Sequence, residues 1–314
     1  MNEPIFLQSV FQERIWGGQK LKQLFGYDIP YEHTGEYWAV SAHPNGQSIV
    51  KSGPYQGMLL GELWNSHPEL FNSSSTVFPL LTKLLDASDD LSVQVHPNDA
   101  YAGAHENGEL GKTECWYIVA AEPGACIIYG HEAKTKHELE SMIAAGNWDS
   151  LLTKVPVKAG DFFYVPSGTI HALGKGIVVL ETQQSSDTTY RVYDYDRKDK
   201  DGNTRELHLK KAIDVTSVPQ AYQAVSYDTK EIENGVITTF VSNSFFTVEK
   251  WNVDGKASFP EAKQYTICSV IDGNGELSID GQSYPLAKGD HFILPISSGD
   301  FQLNGKLELI ISHE

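Results

Sequence analysis

Apolar and polar positions alternate along the chain in short stretches bounded by glycine, proline and aspartate. The clearest are LSVQVHP (91–97), KTECWYIVA (112–120), DFFYVP (161–166), GIVVLE (176–181) and HFILP (291–295). A period of two marks strands with one face turned to a core, so the chain is expected to be mainly β. Two stretches depart from it: 57–71 (GMLLGELWNSHPELF) and 133–152, where Leu139, Met142 and Ile143 fall near the spacing of one helix face. Both are expected to be small helical insertions in a sheet-rich fold. Segment 196–206 (DRKDKDGNTRE) carries charges without periodicity and reads as an exposed loop, free to move over a site.

VKAGDFFYVPSG (157–168) returns as LAKGDHFILPIS (286–297), with Gly160-Asp161 and Gly289-Asp290 offset by 129 residues and a proline six residues after each glycine. A glycine turn leading to a short apolar strand that ends at proline is a recurring piece of small barrels. Two jelly-roll-like β-barrels are therefore expected, one within 1–235 and one over 236–314. At the same offset Asp300 stands where the first copy has His171, so the second barrel is expected to be metal-free.

Strand alternation places Ser92, Gln94 and His96 on one face, and Lys112, Glu114 and Trp116 on one face of another strand. His171 follows Pro166 at the end of the repeated loop, where a barrel mouth would bring it close to both. Gln94, His96, Glu114 and His171 offer an amide oxygen, two imidazoles and a carboxylate, a set suited to Zn²⁺, Fe²⁺ or Mn²⁺; without thiolates, it suits an open, catalytic site. The plain alternative for each is an ordinary half-buried side chain. ENGELGKT (106–113) ends like a phosphate-binding P-loop, but Glu106 stands at its first glycine and a strand follows it. Arg191 shares a face with Tyr193 and Tyr195; it either meets an anion or pairs at the surface with Asp187, Asp194 or Asp196. RIWGG (14–18) and GEYW (35–38) are pocket walls or packing corners.

Composition narrows the partners. The 314 residues are 40% hydrophobic and 21% charged, with a net charge of −17, which disfavours nucleic acid and anionic membranes. No apolar run reaches the ~18 residues of a membrane span, the start MNEPIFLQSV lacks a basic signal region, and three cysteines without C-x-x-C spacing argue against disulfides. A cytoplasmic location is expected, and an anionic ligand would need a local basic pocket.

FPLLTKLLDASDDLSVQVHPND (78–99), GKTECWYI (111–118), VPSGTIHALG (165–174) and TTYRVYDYDR (188–197), with RIWGG and GEYWAVSAHPNG (35–46), closely resemble the type I mannose-6-phosphate isomerases of the short bacterial kind. The resemblance implies a bicupin with a metal-binding domain over 1–235 and a metal-free cupin-like domain over 236–314. It also implies a zinc enzyme, one ion per chain, that interconverts mannose 6-phosphate and fructose 6-phosphate. Gln94, His96, Glu114 and His171 fall on the family's metal ligands, and Arg191 and Lys112 on residues of its active site. Tyr37 and Ala39 depart from the Ser and Glu found in many relatives. Isomerisation through an enediol needs an electrophile, a base near both carbons and an anion anchor. Lys112 could steady the oxyanion or, with its pKa lowered by desolvation, act as the base. Ser92 and Arg14 are weaker candidates for substrate binding, and the oligomeric state is left open. Two rivals stand beside this reading: an Fe²⁺-dependent cupin dioxygenase using the same ligands, and a sugar-binding bicupin without catalysis.

Overall fold

In a computed structural model, described for residues 3–199, 201–221 and 227–314, the chain is a mainly β bicupin with short helices. Lys200, within segment 196–206, lies outside the described residues. Three sheets organise the rest. A six-stranded sheet runs in the order Phe162–Val165, Glu114–Ala121, Ile177–Gln184, Leu80–Ala87, Thr34–Val40 and Val10–Gly18. Five strands form the second: Tyr190–Tyr193, Val93–Val95, His171–Leu173, Cys126–His131 and Leu152–Pro156.

These two sheets face one another across a shared apolar layer. Leu85, Trp116, Ile118 and Val179 of the six-stranded sheet meet Ile127, Leu173 and Leu91 from the other side. Each fully buried side chain of this size is worth about 1.5–3 kcal/mol. Val93, Val95, Ala172 and Val192 turn the other way and pack against Leu139, Ile143, Leu151 and Ala212. The helices Lys136–Ala144, Trp148–Leu151 and Leu209–Val215 thus cover the outer face of the five-stranded sheet. The expected 133–152 helix is two pieces, capped by the Thr135 hydroxyl on Glu138 N and broken at Gly146, whose φ is 65°. The 57–71 helix is confined to Leu60–Ser66, because Gly57 is left-handed and Pro68 stops it; a 3₁₀ turn, Pro68–Leu70, follows.

A nine-stranded sheet holds the C-terminal half: Asp228–Ile232, Gly235–Ser242, Thr247–Phe259, Phe301–His313, Thr266–Ile279, His291–Leu294, Ile5–Gln8 and Ile49–Val50 in order, with Gln282–Ala287 beside Thr266–Ile279. Its interior is apolar, built from Val253, Cys268, Leu277, Phe292, Leu303 and Leu309 among others. Two of its strands come from the N-terminus, and Ile5 and Phe6 pair with Ile293 and Phe292.

The internal repeat is reproduced in its hydrogen bonds. Asp161 N reaches Lys158 O, and Asp290 N reaches Ala287 O; their carboxylates accept from Lys158 N and Ala287 N in turn. Gly160 and Gly289 adopt φ of 91° and 94°, a region that only glycine enters freely. Asp300, the counterpart of His171, is exposed and accepts from Glu261 N.

Candidate metal centre and active site

The site lies between the two facing sheets. In the five-stranded sheet Gln94 sits directly between its register partners His171 and Arg191. Opposite runs a polar row in register across four strands: Trp38, Lys83, Glu181 and Trp116. Glu114 lies two residues before Trp116 on the same face, and the Trp116 indole meets the His171 ring across the gap with centroids 5.3 Å apart.

His96, Glu114 and His171 converge, with one ligand atom of each within 4.8 Å of the others. His96 Nδ1 donates to Thr188 O at 2.9 Å and His171 Nδ1 to Thr169 O at 2.8 Å, which leaves both Nε2 atoms as acceptors. Those lone pairs face the carboxylate: His96 Nε2 is 3.4 Å from Glu114 Oε2, and His171 Nε2 is 3.3 Å from Glu114 Oε1. Glu114 Oε1 is buried without a hydrogen bond. Two imidazole lone pairs and a carboxylate with one buried, unbonded oxygen, turned on one another, fit a divalent cation. The Gln94 amide stands 3.4 Å from His171 Nε2, in reach of the same point.

Burial and the Lys112 charge push the His96 pKa down to about 3, and burial lowers that of His171, so both rings stay neutral. Burial alone would raise the Glu114 pKa, but the Lys112 charge outweighs it and holds it well below the usual carboxylate range. Lys112 Nζ lies 2.5 Å from Glu114 Oε2 and 3.1 Å from His96 Nε2. Desolvation, expected to lower its pKa, is outweighed by Glu114 and Glu181, which raise it. Lys112 is a cation here rather than a free base.

A cavity of about 320 Å³ opens beside the cluster, and Gln94 and Lys112 form part of both. Five cationic side chains (Arg14, Lys83, Lys112, Arg191, Arg205) line it against three carboxylates (Glu36, Glu181, Asp187). Arg14, Ser92, Lys112 and Arg191, singled out in the sequence, therefore all line this one cavity. Arg191 donates Nε to Ser92 Oγ at 3.3 Å and Nη1 to Glu206 O at 2.9 Å. It is no surface ion pair: among the described residues Asp194 is taken by Arg205, and neither Asp187 nor Asp196 bridges to Arg191. Arg14 makes a bidentate pair with Glu36 at 2.9 and 3.1 Å. Burial would raise the Glu36 pKa, but Lys83, Arg14 and the Trp38 indole outweigh it and hold it at about 2.

Residues 5–119 match the family model for the phosphomannose isomerase type I catalytic domain, and residues 236–314 that for the mannose-6-phosphate isomerase cupin domain. The chain is 58% identical over 314 residues to the mannose-6-phosphate isomerase of Streptococcus mutans, covering 100% of this chain and 99% of that one. The chain belongs to the type I mannose-6-phosphate isomerase family. A second relative, mannose-6-phosphate isomerase ManA of Bacillus subtilis, is 56% identical over 312 residues, 99% of each chain. The crystal structure of a mannose 6-phosphate isomerase from Bacillus subtilis superposes with a TM-score of 0.98 at 52% identity, over 100% of both chains. Variants of the phosphomannose isomerase from Salmonella typhimurium share the fold, with a TM-score of 0.81 at 16% identity over 99% of this chain.

Against this family pattern, Tyr37 and Ala39 both point away from the cavity. They pack in the large core with Val40 and Ile293, and the Tyr37 ring lies against Tyr27 with centroids 4.5 Å apart. Lys83, Glu181 and Arg205 are charged lining residues that the sequence reading passed over, whereas Glu36 belongs to GEYW and Asp187 entered only as a surface partner for Arg191. Lys83 stands among the leucines of LLTKLLDA (80–87), and Glu181 ends the apolar run GIVVLE. A charge inside an otherwise apolar strand was the available signal, since buried lysine and glutamate are rare unless paired.

Proposed function

We propose that this chain is a zinc-dependent aldose–ketose isomerase that interconverts mannose 6-phosphate and fructose 6-phosphate through an enediol proton transfer. The observation that carries the reading is the junction of a His–Glu–His cluster of neutral imidazoles and an ionised carboxylate with a cavity in which cations outnumber carboxylates five to three, inside a chain of net charge −17. Gln94, His96, Glu114 and His171 would hold one zinc ion per chain, which supplies Lewis acidity toward the sugar's oxygens. Lys112, a buried cation two residues from Glu114 on the same strand face, is placed to steady negative charge on a sugar oxygen. Arg191 orients the substrate, held by Ser92, while Arg14 borders the opening. Glu181 has its pKa raised by burial and by the Glu114 charge, which suits a group that takes and returns a proton. The sugar phosphate is the only partner this site calls for, and we place the reaction in the cytoplasm, where phosphorylated sugars are held.

The division into a metal-binding part over 1–235 and a metal-free part over 236–314 belongs to the same proposal. It is supported by the apolar interior of the C-terminal sheet, modified in that residues 5–8 complete that sheet. The dioxygenase alternative would leave this ring of charge without a purpose. The deciding experiment is a coupled assay of purified protein with mannose 6-phosphate, before and after chelation, with add-back of Zn²⁺ or Fe²⁺. Activity that is lost on chelation and returns with zinc is expected; full activity in chelator would sink the metal, and no turnover in any state would sink the reaction.

A further inference from the structure

Segment 196–206 folds back on itself through the Lys198–Thr204 bridge, and its return limb brings Arg205 to the cavity wall. Arg205 is fixed there by a buried carboxylate: Nε and Nη2 donate to Asp194 Oδ2 and Oδ1 at 2.8 and 2.6 Å, with the Asp194 side chain 6% exposed. Asp194 takes one edge of the guanidinium and leaves Nη1 without a protein partner among the described residues. The next residue, Glu206, offers the carbonyl that receives Arg191 Nη1, so one short stretch sets both arginines. Arg191 Nη2 is likewise without a partner among the described residues.

Two guanidiniums therefore line one cavity side by side, and only one has a carboxylate of its own. Placing like charges together in a half-buried wall costs energy unless an anion comes between them. The charge of Arg205 is felt at Arg191, whose pKa is lowered by burial and by that neighbour. Asp187 is the carboxylate nearest in sequence on the same lining, and it forms no ion pair with either arginine. Planar forks with open edges match the oxygens of a phosphate.

We infer that Arg205 is a specificity-determining residue that grips the substrate's phosphate jointly with Arg191, held to the task by Asp194. The inference rests on the sugar-phosphate reading given above and adds a residue to it. It implies that the loop limb is part of the binding wall, and that the enzyme distinguishes phosphorylated from neutral sugars partly through a side chain outside the sheets.

The test uses the zinc-loaded full chain. For Arg205→Gln, KM for mannose 6-phosphate should rise about tenfold to a hundredfold, the loss expected for a charge-assisted hydrogen bond, while kcat changes less than threefold and zinc content is unchanged. Inorganic phosphate should weaken as a competitive inhibitor by a similar factor. Arg205→Lys should recover part of both. Because Arg205→Gln leaves Asp194 buried and unpaired, Asp194→Asn/Arg205→Gln is measured beside it; the raised KM should persist in this double variant. A double variant whose KM and phosphate inhibition return to within twofold of wild type would show that Arg205 only braces the loop and would overturn the inference, as would a folded single variant with unchanged constants. Failure of the isomerase reading is a separate event, seen as a wild-type enzyme that does not turn over mannose 6-phosphate at all.

Discussion

At the scale of single residues, Arg191 occupies an unusual position: half-buried, without a carboxylate, and tied by Ser92 and a backbone carbonyl. Lysine would keep the charge but lose the fork that reaches Ser92, Glu206 O and the cavity at once. Arg191→Lys is therefore expected to lower kcat at least tenfold with a smaller change in KM, read from steady-state kinetics on zinc-loaded protein. A rise in KM alone would leave Arg191 only its share, with Arg205, of the grip on the phosphate. Glu36 gives a prediction for pH. Its pKa of about 2 lies below the ordinary 4.5, so its contribution is complete above about pH 4.5 and fades as pH falls toward 2; the gap is worth roughly 3 kcal/mol. Glu36→Gln should lower Tm near neutrality, and its deficit against wild type should shrink between pH 5 and pH 3. A deficit that is flat across that range would mean the pair with Arg14 and Lys83 adds nothing. Of the four candidate metal ligands, Gln94, His96 and Glu114 were picked out because strand alternation fixes the face a residue takes, and His171 because it follows the loop of the internal repeat. Lys83, Glu181 and Arg205 were not, because each becomes part of the site only through its neighbour on another strand or loop.

At the scale of elements, the strands announced themselves by period two, whereas the helices Lys20–Phe25, Asp99–His105 and Leu209–Val215 gave no periodic signal. Six or seven residues make fewer than two turns, too few for a repeating face; of the three, Asp99–His105 alone carried a cap signal, the Asn98 side chain accepting from Tyr101 N. The motifs RIWGG and GEYW turn out to be one crossing. A methyl group on Gly17 would lie 2.3 Å from Gly35 N, and one on Gly35 would lie 2.5 Å from Arg14 Cβ. The two strands touch backbone to backbone there, and this contact sets Arg14 against Glu36 at the cavity. Gly35→Ala should consequently cost about 1–3 kcal/mol of stability by overpacking, seen in the urea midpoint, and raise KM by displacing the Arg14–Glu36 pair. A variant as stable as wild type would show that the strands can separate without loss.

At the scale of the whole molecule, the repeat at Gly160 and Gly289 showed that there are two related halves, but no local pattern could show that they are sewn together. Ile5–Gln8 leaves the first half to pair with His291–Leu294 and with Ile49–Val50. The largest core cluster likewise joins Tyr37, Leu84 and Leu180 to Phe240, Phe246, Tyr265, Ile267 and Ile293. At about 1.5–3 kcal/mol for each such side chain, exposing four of them would cost roughly 6–12 kcal/mol, as much as the entire stability of a typical domain. The full chain is therefore expected to unfold in one calorimetric transition. Residues 236–314 made alone should aggregate or give the circular dichroism of an unfolded chain, because the strand at 291–294 has lost its partner Ile5–Gln8 and becomes a bare edge, and the apolar face beneath it is exposed. Chelation should lower the single Tm without splitting it, since metal binding at His96, Glu114 and His171 is linked through this shared core to the folding of both halves. Two resolved transitions, or a fragment 236–314 that folds cooperatively by itself, would show that the interlocked core is an ordinary interface and that the halves are independent domains.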